Sequence, residues 1–170
     1  EEWLSAQRHD LGLTENTPTP AGTLRHPLSA VNEICVLPRD HPLQDTSGLT
    51  PQDFQGENFI SLSVTDSYRQ LLDKLFIEQG ISRRLVLETH SAASVCAMVR
   101  EGVGVSIVNP LTALDYISKG SAEGVCVRPF SVDIPFTISL IQPKHRPSST
   151  LVDTFIEHLQ QQAIDRKSVV

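Results

Sequence analysis

Two clusters of small polar residues stand where the sequence pattern predicts that a strand ends and a helix begins. One is the hydroxyl-rich run from Ser61 to Ser67, SLSVTDS, and the other is the run from His90 to Ser94, HSAAS. Free backbone N–H groups and the positive end of the helix dipole make a helix N-terminus a favourable place for a carboxylate or a phosphate. Both clusters are therefore candidate anion sites.

Each cluster has a structural interpretation as well. Ser91 is suited to cap its own helix, which contributes about 1 kcal/mol to stability. The run from Ser61 to Ser67 is suited to a polar turn that carries a cap. Capping accounts for each loop separately, but it gives no reason for both loops to lie at the same edge of a sheet. The two interpretations stay open at this stage.

Catalytic and metal chemistry have little support in the sequence. There is no GxSxG, HExxH or CxxC motif. Because His90 and Ser91 are adjacent, their side chains point apart and do not form a nucleophile and base pair. Neither an enzyme nor a metal or cofactor site is predicted. Six histidines are scattered without the spacing of metal ligands: His9, His26, His41, His90, His145 and His158.

The glycine-rich stretch from Gly102 to Ser106, GVGVS, resembles a nucleotide-binding loop only superficially. It follows a predicted helix and enters a predicted strand, whereas a phosphate loop leads from a strand into a helix. We interpret Gly102 as the end of the helix and Gly104 as a position of close backbone packing.

The composition predicts a folded globular chain that does not itself bind nucleic acid. The 170 residues are 39% hydrophobic, and 20 acidic against 14 basic residues give a net charge of −6, which disfavours a polyanion. The sequence shows no apolar run of membrane-spanning length and no secretory signal, so no membrane contact is predicted. Cys35, Cys96 and Cys126 each stand between apolar residues, which predicts reduced core thiols and a cytoplasmic protein.

The elements that position these residues alternate between strand and helix. From Asn58 to Val108 the pattern reads β-α-β-α-β without hairpin turns, which predicts parallel strands and an α/β sheet. Ligands in such sheets lie outside the carboxyl ends of the strands, so the loops at Ser63–Ser67, Thr89–Ser91 and Asn109-Pro110 are expected to converge. Before and after this core the pattern predicts a helix over Glu1–His9, a buried strand over Leu11–Thr14, a loop over Asn16–Pro27, a strand over Val31–Leu37, a helix over Leu111–Ile117, strands over Val125–Phe130 and Phe136–Ile141, and a helix near Thr150–Gln162.

Three stretches carry a family resemblance: Cys35 to Leu43 (CVLPRDHPL), Leu49 to Phe54 (LTPQDF) and Val99 to Val108 (VREGVGVSIV). They resemble the effector-binding domain of the LysR-type transcriptional regulators, and the match runs over nearly the whole chain. A narrower string, Glu88 to Arg100 followed by Asn109 to Tyr116, is similar to members of this family that control lysine biosynthesis.

The resemblance implies an α/β fold like that of periplasmic binding proteins, with two Rossmann-like lobes that hold a small effector between them. Residues 35–133 are expected to form a complete second lobe, and residues 1–34 and 134–170 a partial first lobe. The remaining first-lobe strands and the DNA-binding winged helix-turn-helix are expected to lie outside this sequence. That gap would leave the backbone edges of Leu11–Thr14 unsatisfied and prone to self-association.

The resemblance also implies the site. Diaminopimelate or lysine is the implied effector, and its amino group would need an acceptor such as Asp66 or Glu15. A structural turn role for Asn109 stays open. The implied partners are other copies of the chain, as a dimer or tetramer, and DNA through the N-terminal domain. Position by position, the effector contacts of the family fall on six residues: Thr14, Ser63, Thr65, His90, Ser91 and Asn109.

The function implied is that of a sensor without enzymatic activity. Effector binding would change lobe closure and so the geometry of a DNA-bound oligomer. The alternative is a solute-binding protein for a small anion, which has the same lobes, although the missing signal peptide and unpaired cysteines disfavour it. An α/β hydrolase or transferase would need a nucleophile arrangement that the sequence does not show.

Overall fold

The computed structural model of the chain describes residues 9–15, 19–118, 124–145, 147 and 149–167. The predicted helix over Glu1–His9 falls almost entirely outside these ranges. Four helices and eight strands are described, together with a 3₁₀ turn over Pro51–Phe54. In chain order the elements are β1 (Gly12–Glu15), β2 (Thr23–Asn32), β3 (Ile34–Pro38), β4 (Asn58–Leu62), α1 (Ser67–Glu78), β5 (Arg84–Thr89), α2 (Ala92–Arg100), β6 (Ser106–Val108), α3 (Pro110–Tyr116), β7 (Val125–Pro129), β8 (Pro135–Pro143) and α4 (Thr150–Lys167).

The chain divides into two compact units, one made of residues 1–31 and 136–170 and the other of residues 32–135. In the first unit β8 lies between β1 and β2. β1 and β8 are antiparallel, with Thr14 opposite Ser139 and Gly12 opposite Ile141. β1 pairs with β8 along its whole length, so one of its edges is satisfied, and it stands at the end of the strand order β1, β8, β2. The self-association expected at Leu11–Thr14 stays a prediction.

The second unit holds the strands that position the predicted loops. β4 and β5 pair in parallel, and β3 pairs antiparallel with both β6 and β7. A parallel bridge joins Phe59 to Val105 and brings β4 beside the strand that leads into β6. Two backbone hydrogen bonds hold this junction, from Ile60 N to Val105 O at 3.0 Å and from Val105 N to Asn58 O at 2.8 Å. The three strands of the predicted β-α-β-α-β segment therefore run in the same direction.

Helices α1 and α2 begin and end where the sequence predicts. The Asp66 carboxylate accepts hydrogen bonds from the amides of Tyr68 and Arg69 and so caps α1. Gly80 at φ 68° ends α1, and Gly102 at φ 75° ends α2, each in the left-handed conformation that favours glycine. The apolar stripe of each helix is buried: Tyr68, Leu72 and Phe76 in α1, and Val95, Cys96 and Val99 in α2.

Two apolar clusters hold the second unit together. One is an aliphatic core that α2 contributes to, and the other is a group of phenylalanine rings packed edge to face at centroid distances of 5.7–6.3 Å. The aliphatic core comprises Val36, Ile60, Val95, Cys96, Val99, Val108, Ala113 and Val125, and the aromatic group comprises Phe54, Phe59, Phe76 and Phe130.

Two expectations about the first unit are wrong. The predicted loop over Asn16–Pro27 gives way to strand from Thr23 onwards, because β2 is an edge strand and tolerates Pro27. The predicted strand over Leu11–Thr14 is present as β1, shifted by one residue, but it is not buried, since Leu13 is 69% exposed. The single strand predicted over Val31–Leu37 is divided at Glu33, since β2 ends at Asn32 and β3 begins at Ile34.

No helix within the described ranges is long and apolar enough to span a membrane. Cys35 and Cys96 are fully buried and Cys126 is half-buried, and all three are free thiols. The prediction of core thiols is therefore confirmed for Cys35 and Cys96.

Candidate functional site

Three of the predicted loops follow strands that run in the same direction. Ser63 follows β4, His90 follows β5, and Asn109 follows β6. Since the carboxyl ends of parallel neighbours meet at one edge of a sheet, these residues lie at a shared edge of the second unit. Thr65 and Ser91 stand in the first two of these loops. Thr14 belongs to the first unit, in the strand pair β1 and β8.

The loop from Ser63 to Asp66 is a turn closed by its own hydrogen bonds. The Asp66 amide donates to Ser63 O at 2.8 Å, and the hydroxyls of Ser63 and Thr65 lie 3.1 Å apart. Ser63 is buried, whereas Thr65 is exposed. Asp66 was a candidate acceptor for an effector amino group, but its Oδ1 accepts the two amides that it caps. Thr65 is therefore the exposed hydroxyl residue of this loop, and its Oγ1 also contacts the buried Ser63 Oγ.

At the start of α2, Ser91 acts as the N-cap. Its Oγ accepts a hydrogen bond from the Ser94 amide at 3.3 Å, and its own amide donates to Thr89 Oγ1 at 3.3 Å. His90 is exposed. Because Ser91 satisfies only one of the orphan amides of the first turn, the cap does not use up the anion-binding capacity of this helix end.

Asn109 also has a cap role. Its Oδ1 accepts from the Thr112 amide at 2.8 Å, and Pro110 occupies the first position of α3. The structural turn role that the sequence left open for Asn109 is therefore present. The other amino-group acceptor candidate, Glu15, is exposed on β1.

A charged network lies behind the Ser63–Asp66 loop, and the sequence reasoning did not find it. Arg69, on the first turn of α1, donates to Ser61 Oγ, to Leu62 O at 2.9 Å and to Asp73 Oδ2 at 2.6 Å. Its Nη1 also lies 3.6 Å from Glu88 Oε2. The Arg69 side chain is only 8% exposed, so these partners compensate for a largely desolvated charge.

Arg83 extends the network. Its guanidinium pairs with the second oxygen of Asp73 and lies over the rings of Phe59 and Phe76, 4.6 Å and 4.1 Å from their centroids. Burial lowers the pKa of Arg83, and the hydrogen bond and charge of Asp73 oppose that shift. The pair Arg69 and Asp73 has a sequence signal, since residues four apart on a helix face each other. The contribution of Glu88 depends on strand pairing and has no such signal.

A small cavity adjoins this network. It has a volume of about 290 Å³ and lies between α1 and β5. Apolar and charged groups share its wall, which comprises Ser61, Arg69, Leu85, Val86, Leu87 and Glu88. Across the described part of the chain, no group of three histidine, cysteine, aspartate or glutamate residues is arranged to hold a metal ion.

The fold and the polar loops define an α/β domain of the class that takes small molecules at the carboxyl ends of its strands. A family model described as the LysR substrate binding domain matches residues 1–164. The chain belongs to this family.

Comparison with curated proteins and solved structures supports the same assignment. The chain is 67% identical over 160 residues to the transcriptional activator protein LysR of Escherichia coli K12, covering 94% of this chain and 50% of that protein. It is 31% identical to the regulatory protein NocR of Agrobacterium tumefaciens, with 91% and 50% covered. The regulatory domain of CcmR from Synechocystis PCC6803, solved with 2-PG, superposes with a TM-score of 0.78 at 19% identity, covering 95% of this chain and 77% of that one.

These comparisons confirm the predicted α/β fold with its likeness to periplasmic binding proteins, and the predicted family. The two curated relatives are a transcriptional activator and a regulatory protein, not enzymes. The chain spans about half the length of the curated relatives that it matches.

Proposed function

We propose that this chain is the effector-sensing part of a cytoplasmic transcriptional regulator that controls a lysine biosynthesis gene. The observation that carries the proposal is the 67% identity to the LysR activator of Escherichia coli over nearly the whole chain. Residues 35–133 serve as the second lobe, and residues 1–34 and 134–170 as part of the first lobe. DNA is bound by a separate N-terminal domain, and the regulator works as a homo-oligomer.

The ligand proposed is diaminopimelate or lysine. The start of α2 suits the carboxylate of such a ligand, because the first-turn amides of a helix and its dipole favour an anion. His90, exposed beside this helix start, and Thr65, exposed in the neighbouring loop, are the side chains best placed to add hydrogen bonds. Ser63, Ser91 and Asn109 shape these loops. Thr14 stays a separate prediction for the first unit.

The test is isothermal titration calorimetry of the full-length regulator with diaminopimelate, with lysine and, as the control, with lysine amide, in which a neutral carboxamide replaces the carboxylate. Binding of diaminopimelate or lysine with loss of affinity for the amide supports the proposal, since the amide lacks the carboxylate. No heat with either amino acid overturns the ligand assignment. Equal affinity for lysine and its amide overturns the role of the carboxylate.

A further inference from the structure

The charged network behind the Ser63–Asp66 loop reaches the backbone of that loop from two sides. Arg69 donates to Leu62 O at 2.9 Å, at the last residue of β4. Glu88 Oε1 accepts from the Val64 amide at 3.4 Å, and Glu88 Oε2 faces Arg69. The contacts with Leu62 O and the Val64 amide join a charged side chain to the main chain. The network therefore constrains the position of the loop backbone as well as side-chain packing.

Asp73 links the two arginines of the network. Asp73 accepts from Arg69 with one oxygen and from Arg83 with the other. With two positive and two negative groups the network is neutral, and its two arginine side chains are 8% and 6% exposed. Charge pairs that are withdrawn from water in this way have defined geometry, since a displaced partner leaves an uncompensated charge.

We propose that Arg69 is a positioning residue for ligand binding: it fixes the end of β4 directly and Val64 through Glu88, and so presents Thr65 to the ligand. This inference rests on the proposed function for the identity of the ligand. It adds a residue that touches no ligand itself.

The network supplies its own matched control. Arg83 shares Asp73 with Arg69 and is equally buried, but its described contacts are with Asp73 and two phenylalanine rings rather than with the loop. Arg69→Met and Arg83→Met each remove one desolvated charge from the same cluster. A purely structural role for the network predicts similar losses of stability and similar ligand affinity in the two variants.

The experiment compares these two variants with the parent in the full-length regulator, by titration with diaminopimelate and by amide hydrogen exchange of residues 63–66. We expect Arg69→Met to bind diaminopimelate about tenfold more weakly than Arg83→Met, as for the loss of one charge-assisted hydrogen bond. We also expect faster exchange at residues 63–66 in Arg69→Met alone. Arg69→Lys, which keeps a charged donor, should recover part of the affinity.

Equal affinities and equal exchange in the two methionine variants overturn the proposal. If the parent protein does not bind diaminopimelate, the ligand assignment fails, and the exchange measurement still decides the role of Arg69. If Arg69→Met does not fold, Glu88→Gln replaces it, because glutamine keeps an acceptor for the Val64 amide but loses the charge that faces Arg69. Faster exchange at residues 63–66 in Glu88→Gln than in the parent supports the network, and unchanged exchange overturns it.

Discussion

Gly104 packs directly against the backbone of Asn58, and a Cβ built at position 104 would lie 2.9 Å from the Asn58 carbonyl carbon. The contact stands where the chain enters β6 beside β4, next to the bridge between Phe59 and Val105. Because backbone rather than a flexible side chain fills this space, a larger residue cannot be accommodated by a rotamer change. The glycine is therefore needed for the junction that sets the shared sheet edge.

Gly104→Val is expected to destabilise the second unit by about 1 to 3 kcal/mol or more, as overpacking does in a filled core. Thermal unfolding followed by circular dichroism measures the loss. Gly102→Asn is the matched control, because position 102 has open space around it and asparagine tolerates its positive φ. A Gly104→Val protein that melts normally but prefers a different ligand would contradict the packing role.

Local capping and stop signals explain why the sequence predicted the helix ends well. Asp66 and Gly80 bracket α1, and Ser91 and Gly102 bracket α2, and each acts through a capping or left-handed conformation that depends on nearby residues only. β2 was missed for the opposite reason. In the local sequence pattern, Pro27 predicts that a strand is interrupted. Only the strand order β1, β8, β2 shows that β2 lies at an edge, where proline is tolerated.

The candidate site likewise has residues that local patterns predict and residues that depend on tertiary pairing. The hydroxyls of Ser63, Thr65 and Ser91 were predictable because they belong to strand-to-helix turns, which are local. The partnership of Arg69 with Glu88 was not, because it needs the parallel pairing of β4 with β5 that places Ser61 opposite Glu88. Sequence patterns therefore locate the loops, while the side chains that hold them depend on tertiary pairing.

Substitutions at Ser91 separate its cap role from ligand binding. Ser91→Asn and Ser91→Asp both keep an acceptor for the Ser94 amide. Their free energies of unfolding should therefore lie within about 0.5 kcal/mol of the parent value. Ser91→Asp also places a negative charge where the ligand carboxylate is proposed to lie. We expect it to weaken diaminopimelate binding tenfold or more in calorimetry, while Ser91→Asn binds normally. Equal affinities for the two variants would exclude the start of α2 from the site.

His90→Ala tests the exposed side chain beside that helix start. It should leave the melting temperature unchanged, because no described contact of the fold depends on the imidazole. Loss of one hydrogen bond to a charged ligand is worth about 1.5 to 3 kcal/mol, which is roughly tenfold or more in affinity. The affinity is measured in the full-length regulator. An unchanged dissociation constant would assign ligand binding to other groups.

Asn109→Ala should lower stability by about 1 kcal/mol, because it removes the acceptor 2.8 Å from the Thr112 amide at the start of α3. Asn109→Asp keeps that acceptor and should melt like the parent. Chemical denaturation of the three proteins measures the difference. If Asn109 lies away from the ligand and acts through its cap alone, ligand affinity follows the parent in Asn109→Asp. A selective loss of affinity there would place position 109 close to the ligand, since the substitution removes the amide and adds a negative charge.

The buried thiols predict how stability depends on pH in alkali. Burial raises the pKa of Cys96 from 9.0 to about 11, and burial, followed by the charge of Asp53, raises the pKa of Cys35. Above pH 9 an unfolded thiol loses its proton while the folded one keeps it, so the native state binds more protons and stability falls as pH rises. Well below pH 9 both states are protonated and the thiols contribute no slope.

The measurement is urea unfolding of the parent and of Cys96→Ala at pH 8, 9, 10 and 10.5. Cys96→Ala should be less stable at pH 8, because it leaves a cavity in the core. Between pH 9 and 10.5 its stability should fall less steeply than that of the parent, by at most about 1.4 kcal/mol per pH unit for one thiol. Comparing the two proteins cancels the lysines and tyrosines that titrate in the same range. Parallel profiles would show that Cys96 ionises in the folded protein as readily as in the unfolded chain.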